Sequence, residues 1–443
     1  MSRADIALKY FRENEDFMKH TVEANIEKYR KGKTSVTVLD KEGKPMKGVT
    51  VRFKQTSHAF KYGANIFMLD EFENAEKNAL YRERFKEICN IATVPFYWSD
   101  LEPTRGKPRF SKDSERVYRR PPIDLCVEYC KESGVEPKCH CLNYDNFLPT
   151  WLKNASVSEH KLALDKRFRE LAERYADVIP SWEVTNETLN ADVHPESKFF
   201  KEDDFVEWSF RTAERYFPKN RLIINDYDVF ERAYKGNRSA YYMQIERLPL
   251  RGVHHLDSIG IQFHSFFPQE QEAEIAKTRY NPVYLYRVFD KYAELGKRLQ
   301  ITEMTIPAFS SSEEDEYVQA EIVKNVYSVF FSHPAMEAII YWNLVDGYAA
   351  FAPQGDMTAG ENKYHGGFMR FDMSTKKVYD TVRDLFGRQW RTDVTVTTDE
   401  CGVATFRGFY GDYDVTVSRG TDEMKTTLQT SDERHNVTSI TLS

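Results

Sequence analysis

Between about residue 60 and residue 388 the chain alternates short runs that are apolar throughout with longer stretches in which apolar residues recur every three or four positions. The short runs are "FKYGANIF", "NIATVPFYW", "VEPKCHCL", "PSWEVTNE", "RLIINDYD", "SIGIQFHS", "RLQITEM" and "AIIYWNL". Stretches between them, such as "VSEHKLALDKRFRELAERYAD" and "EYVQAEIVKNVYSVFFSH", carry the 3.6-residue period of amphipathic helices. Strands apolar on both faces are covered on both faces, which is the situation of parallel strands joined by crossover helices. Eight of them alternating with helices predict an α/β fold, a (β/α)8 TIM barrel over residues 59–388.

The flanks read differently. Residues 34–58, "TSVTVLDKEGKPMKGVTVRFKQTSH", alternate apolar and polar positions on either side of a turn containing Gly43 and Pro45. Residues 389–443, including "DVTVTTDECGVATFRGFYGDYDVTVSRG", contain short strands with turns at regular spacing, the pattern of an accessory β-sandwich-like domain. Neither piece is long enough to close a core alone. The strands of 34–58 are therefore expected to pack with the C-terminal domain, and residues 1–33 to form a helical segment leaning on the barrel.

Composition narrows the partners. The 443 residues are 41% hydrophobic and 30% charged, an ordinary globular balance. A net charge of -7 gives no surface that attracts a polyanion as a whole, so no nucleic-acid partner is expected. Aromatic residues are abundant, 30 Phe, 26 Tyr and 6 Trp, and such rings fill cores or line clefts for sugar rings. The opening "MSRADIALKYFRENEDFMKH" is charged throughout, and no later run reaches about 18 apolar residues, so neither a leader nor a membrane partner is expected. A cytoplasmic location follows, or a secreted one if a leader has been trimmed away. The six cysteines have no metal-ligand spacing, and in Cys139-His140-Cys141 strand alternation puts the imidazole on the face opposite both thiols. No metal and no cofactor are expected, and scattered free thiols fit a reducing compartment.

In a barrel of this kind the chemistry sits at the C-terminal ends of the strands. Polar residues gather there: His140 on the third strand, Asn186 and Glu187 on the fourth, and Asn225, Asp226 and Tyr227 on the fifth. Gln262 and His264 follow on the sixth, Glu303 on the seventh and Trp342 on the eighth. Two glutamates facing each other across a barrel mouth suit glycosidic cleavage, one protonating the departing oxygen and the other attacking the anomeric carbon. A separation of about 5 to 5.5 Å implies retention of configuration. Glu187 is the expected acid, with Asn186 and Trp182 giving it a partly apolar setting, and His264 is expected to orient Glu303 as nucleophile.

"SWEVTNE", "IINDYD", "SIGIQFHSFFP", "ITEM" and "YWNLVD", in that order and on those strands, resemble family-10 glycoside hydrolases, the endo-β-1,4-xylanase family. The resemblance spans roughly residues 60–388. It implies Glu187 as acid/base, Glu303 as nucleophile, Asn186 as partner of a sugar 2-hydroxyl and His264 as partner of the nucleophile. "KCHCLNYDNFLPTWL" is similar to the family's third-strand segment, with His140 on its histidine and Pro149, Thr150, Trp151 and Leu152 on the closing turn.

The departures fall where sugars are held. Tyr144 and Asp145 stand in place of a Trp-His pair, and "VPFYW" replaces a Glu-Asn-x-x-Lys-Trp segment, leaving Trp98 in step with "LEP" at 101–103. Thr305 stands where an aspartate usually follows the nucleophile by two residues. After the eighth-strand aspartate, Ala350 and Phe351 occupy the place of a tryptophan, with Tyr348, Tyr364 and His365 nearby to rebuild a wall. The substrate-binding set is thus His140, Tyr144, Asp145, Asn186, Tyr227, Gln262, His264, Trp342 and Phe351. A retaining hydrolase acting on short or decorated β-linked oligosaccharides or glycoconjugates is the leading reading. A carbohydrate-binding protein with weak or no turnover is the alternative. A barrel enzyme of another class would need a Schiff-base lysine or a metal-ligand cluster at the strand ends, and the sequence has neither.

Overall fold

A computed structural model describes residues 2–193, 197–227, 229–230, 232–432 and 436–442. Helical segments run from residue 3 to residue 30, the first opened by a reciprocal cap between Ser2 and Asp5. Arg3 ties this segment to the barrel. It pairs with Glu272 at 2.9 Å and Asp315 at 3.0 Å and donates to the carbonyls of Pro307 and Ala308.

Two strands follow, β1 (Lys31–Leu39) and β2 (Thr50–Gln55), and then the barrel strands. These are β3 (Lys61–Asn65), β4 (Ile91–Pro95), β5 (Glu136–His140), β6 (Ser181–Asn186), β7 (Arg221–Asp226), β8 (Ser258–His264), β9 (Arg298–Thr305) and β10 (Met336–Tyr341). All neighbours are parallel and β10 bonds back to β3, so the barrel is closed and has no free edge. The intervening helices fold from the predicted period. The helix Val157–Tyr175, for example, begins on a capping box between Ser156 and Glu159 and buries Leu164, Phe168 and Leu171.

Three strands of the barrel are irregular: β10 carries an extra residue, Glu337, against β9 near the bottom of the barrel, and β6 and β9 are irregular nearer the mouth. The register between β6 and β7 shifts between Glu183 and Thr185, and that between β8 and β9 shifts so that Ile261 faces Ile301 while Gln262 faces Glu303. Each shift inserts one extra residue, Val184 in β6 and Thr302 in β9. Such bulges re-aim the side chains beyond them. Those in β6 and β9 lie in the two strands that lead to Glu187 and Glu303.

After the barrel come β11 (Asp393–Thr397), β12 (Val403–Phe409), β13 (Gly411–Arg419), β14 (Asp422–Thr430) and β15 (Val437–Thr441). They share two sheets with the early strands, in the orders β12-β1-β15 and β11-β2-β13-β14. Val36, Val38, Val51, Phe53, Phe406, Val415 and Val417 fill the space between the sheets. Residues distant in sequence thus supply one sandwich core, as the alternation of β1 and β2 requires: each had one apolar face to cover. This layer meets the bottom of the barrel through Trp390, stacked on Phe331 at 4.3 Å, and His58, which bonds the Trp390 carbonyl at 2.7 Å.

Candidate active site

Three amide side chains link the two glutamates at the barrel mouth. Gln262 Nε2 donates to Glu187 Oε1 at 2.9 Å and to Asn186 Oδ1 at 3.4 Å. Asn225 Nδ2 donates to the same Asn186 oxygen at 2.7 Å and to Glu303 Oε1 at 3.0 Å. Gly260 makes room for this arrangement, because a Cβ there would meet Asn225 Oδ1 at 2.6 Å and Thr302 Cγ2 at 2.8 Å. Glu187 itself has φ 52°, a left-handed conformation that side chains larger than glycine adopt only when their surroundings hold them there. Asp226 supplies that hold, accepting from the Leu189 amide at 3.2 Å and the Thr188 hydroxyl at 3.3 Å. Burial pushes the Asp226 carboxyl up to about 7.

Each glutamate has a further partner. Tyr144 donates its hydroxyl to Glu187 Oε2 and receives a hydrogen bond from Asn146 at 2.7 Å. His264 bonds Glu303 through Nε2 at 3.0 Å and Thr305 through Nδ1 at 3.0 Å. Burial brings the His264 imidazole down to about 4, so it is neutral near pH 7 and orients Glu303 through one N–H without adding a charge.

Burial also pushes the Glu303 carboxyl up to about 8, against the opposing influence of His140 and reinforced by the charges of Glu187 and Glu183. Beneath it lies a fully buried group on β5 and β6: Glu183 bonds both Lys138 and His140. Burial alone would lower the His140 imidazole, yet the Glu183 carboxylate holds it above its usual value. Its Nδ1 lies 3.9 Å from Glu303 Oε1, and its Nε2 bonds the Tyr97 hydroxyl at 3.1 Å. Glu183 thus favours the protonated imidazole, whose charge would lie under Glu303.

A cavity of about 380 Å³ opens above these groups. Of the residues expected there, Glu187, Glu303, His140, Tyr144, Asn186, Tyr227, Gln262, His264, Trp342 and Phe351 all border it. Trp342 stands edge-on to both His140 and His264, and Phe351 is 93% exposed at the rim. Asp145 is not brought to the cavity. It is buried at the head of the turn Asp145–Phe147, because this short helical turn carries Tyr144 and Phe147 to the cavity and its own side chain elsewhere. Tyr348, Tyr364 and His365 do not border it either; the Tyr348 hydroxyl is engaged with Glu73 and Lys77.

Trp182 corrects the expected setting of Glu187. Its ring lies outside the barrel, 4.3 Å from Phe217, and its Nε1 donates to the Ile179 carbonyl at 2.8 Å. Strand alternation sends Trp182 to the helices and Glu183 to the interior. The carboxyl raised by burial is that of Glu303, which is 4% exposed.

A scan of protein families matches residues 54–362 to Glycosyl hydrolase family 10. The chain belongs to this family. Endo-1,4-beta-xylanase B of Thermotoga neapolitana is 26% identical over 337 residues, covering 74% of this chain and 87% of the relative. Anti-sigma-I factor RsgI6 of Acetivibrio thermocellus is 22% identical over 403 residues, or 89% of this chain, which spans only 46% of that relative. Among solved structures, xylanase 10B of Thermotoga petrophila RKU-1 in complex with xylobiose superposes with a TM-score of 0.58 at 23% identity, covering 75% of this chain and 95% of that one.

Sequence patterns do not reveal several of the cavity residues. Tyr97 lies in "VPFYW", where the family's motif is lost, yet it bonds His140. Phe266 stacks on His264 at 4.7 Å and borders the cavity. Arg119 and Arg120 come from a segment between β4 and β5 whose sequence has neither strand nor helix periodicity. The one visible signal is a pair of adjacent arginines followed by two prolines, a composition that loops share generally.

Proposed function

We propose that the protein is a retaining glycoside hydrolase acting on β-linked sugars, with Glu303 as nucleophile and Glu187 as acid and base. The observation that carries this reading is the pair of carboxylates at the ends of β6 and β9, joined through Gln262, Asn186 and Asn225 and facing one cavity. In the first step a Glu303 oxygen attacks the anomeric carbon while the bond to the leaving oxygen breaks, and that oxygen takes the proton of Glu187. In the second, Glu187 removes a proton from water, whose oxygen attacks the same carbon and releases Glu303.

The division of roles has a physical basis. Glu303 accepts from Asn225, whose Nδ2 can only donate, which favours the ionised carboxylate. Glu187 bonds the Tyr144 hydroxyl, which can turn and accept when Glu187 carries the proton. Part of the upward shift at Glu303 comes from the negative charge of Glu187. Protonating Glu187 removes that part, so one proton on Glu187 promotes the ionised Glu303 that attack requires.

Relatives are named as endo-1,4-β-xylanases. Ala350 at the cavity wall and the loss of the lysine-bearing segment near Tyr97 support a short or decorated substrate instead of plain xylan for this chain. Turnover of β-linked aryl glycosides, with the anomeric configuration of the first product followed by NMR, tests the assignment. Glu303→Gln is expected to abolish turnover of every substrate. Glu187→Ala is expected to spare activated leaving groups and to slow poor ones by roughly 100-fold or more. Inverted product removes Glu303 from its role, and equal losses on both leaving groups remove Glu187.

A further inference from the structure

The segment between β4 and β5 brings two arginines to the cavity wall, and they differ in how their charge is met. Arg120 pairs with Asp100 at 2.8 Å and lies over the Tyr97 ring at 4.1 Å. Arg119 makes no ion pair among the described residues. Its Nη1 donates to the Tyr348 carbonyl and its Nη2 to Asn343 Oδ1 at 2.8 Å, while its Nε is buried with no acceptor. Two of the five donors of a guanidinium are thus committed, both to neutral oxygens. Glu361 stands one residue removed, accepting from the amide of the same Asn343 at 3.0 Å.

A buried cation is normally paired, because its desolvation is otherwise uncompensated. Arg119 is only 3% exposed and is also held at φ 61°, a strained conformation for a residue with a side chain. Its carbonyl is fixed by Arg120 Nη1 at 2.9 Å. The fold therefore holds a guanidinium with no carboxylate in direct contact, and only Glu361 acting on it from beyond Asn343, beside the cavity on the side formed by Tyr144, Phe147, Ala350 and Phe351, where a second hollow adjoins. The catalytic carboxylates occupy the cavity floor and are bonded to Gln262, Asn225, Tyr144 and His264, not to Arg119.

We infer that Arg119 receives a carboxylate carried by the substrate, so that the sugar unit lying against this wall is a uronic acid or bears one as a branch. A planar carboxylate matches the paired donors of a guanidinium, and such charge-assisted bonds discriminate strongly against a neutral group of the same size. The space beside Ala350 is where the substituent fits. This inference rests on the proposed glycosidase reading for the identity of the ligand as a sugar, but its test reads binding and does not need turnover.

The test is titration of the full chain at low salt with two matched pairs. One is methyl β-D-glucuronide and methyl β-D-glucoside, which differ only in carboxylate against hydroxymethyl. The other is uronic-acid-branched and unbranched β-1,4-linked oligosaccharides of equal backbone length. In at least one pair the acid is expected to bind about tenfold or more tightly than its neutral partner. Arg119→Gln should bring the two within about threefold, with Arg120→Gln retaining the preference. Arg119→Lys keeps the charge but loses the paired donors, should keep only part of the preference, and is the variant to use if the glutamine chain does not fold. Equal binding in both pairs by the wild-type chain overturns the inference, as does a full preference in folded Arg119→Gln or Arg119→Lys. Preferred binding of the acid without hydrolysis would sink the glycosidase reading alone, while hydrolysis with no preference would sink only the role of Arg119.

Discussion

Asn225 donates to Glu303 at 3.0 Å with the same nitrogen that bonds Asn186, and its own oxygen accepts from Thr302. Thr302 and Glu303 are consecutive, and in a regular strand they would point to opposite faces. The bulge in β9 brings both to the interior, so a single amide fixes the Glu303 carboxylate and the strand irregularity that presents it. The position of Glu303 is therefore a property of the packed barrel interior, and changes around it are readable in kinetics and stability.

Tyr144 is expected to assist Glu187 as acid. Tyr144→Phe removes the hydroxyl that bonds Glu187 Oε2 and leaves the ring against Phe147. The loss of one charge-assisted hydrogen bond corresponds to about tenfold or more in rate. The loss should be larger for poor leaving groups than for activated aryl glycosides. An equal loss on both substrates would contradict this role.

Glu303 should make stability fall with rising pH. Its folded value near 8 exceeds the ordinary 4.5, so between these values the folded chain binds a proton that the unfolded chain has released. The stabilisation is complete below the lower value and is lost as pH rises through the upper one. Glu303→Gln keeps the shape without the ionisation. Its melting temperature should lie close to the wild type near pH 5 and exceed it at pH 8, by an amount corresponding to roughly 3–4 kcal/mol. Asp226, with a value near 7, contributes a dependence of the same sign that the variant retains.

The buried group below the cavity is expected to be sensitive to loss of one member. Glu183 is fully buried between Lys138 and His140. Glu183→Gln leaves Lys138 buried without a counter-charge, at a cost of about 3–5 kcal/mol in chemical denaturation. With its carboxylate partner gone, His140 loses the charge that favours its protonated form, and the acid limb of the pH–rate profile should move as well. Replacing Lys138 and Glu183 together by Met and Gln should restore part of the stability while leaving the profile shifted.

Ala350 is expected to tune substrate size. Ala350→Trp fills the wall beside Phe351 and should damage turnover of substrates with a hydroxymethyl or branched group more than that of an unsubstituted xyloside. The measurement is the ratio of kcat/KM values for matched aryl glycosides, expected to change about tenfold or more. Plain xylan as the best substrate, with Ala350→Trp neutral or favourable, would contradict a role for the open wall.

Much of this protein was determined locally along the chain. Eight doubly buried strands alternating with amphipathic helices admit little besides a closed parallel barrel, since each strand needs neighbours on both edges and cover on both faces. The order of "SWEVTNE", "SIGIQFHSFFP" and "ITEM" also placed Glu187, Gln262, His264 and Glu303 at the ends of β6, β8 and β9, which a closed barrel turns toward one mouth. Which environment each acid meets was decided only in three dimensions. Trp182 stands five residues from Glu187, yet strand alternation sends it to the helices, and Glu303 takes the desolvated position because the β9 bulge turns it inward over His140. Asp145 follows Tyr144 in sequence and turns away from the cavity, whereas Arg119, from a loop with no period to read, reaches it. Period and motif order report the backbone path, which short-range sterics and burial dictate; the direction of a loop side chain depends on contacts with residues hundreds of positions away, as between Arg119 and Asn343.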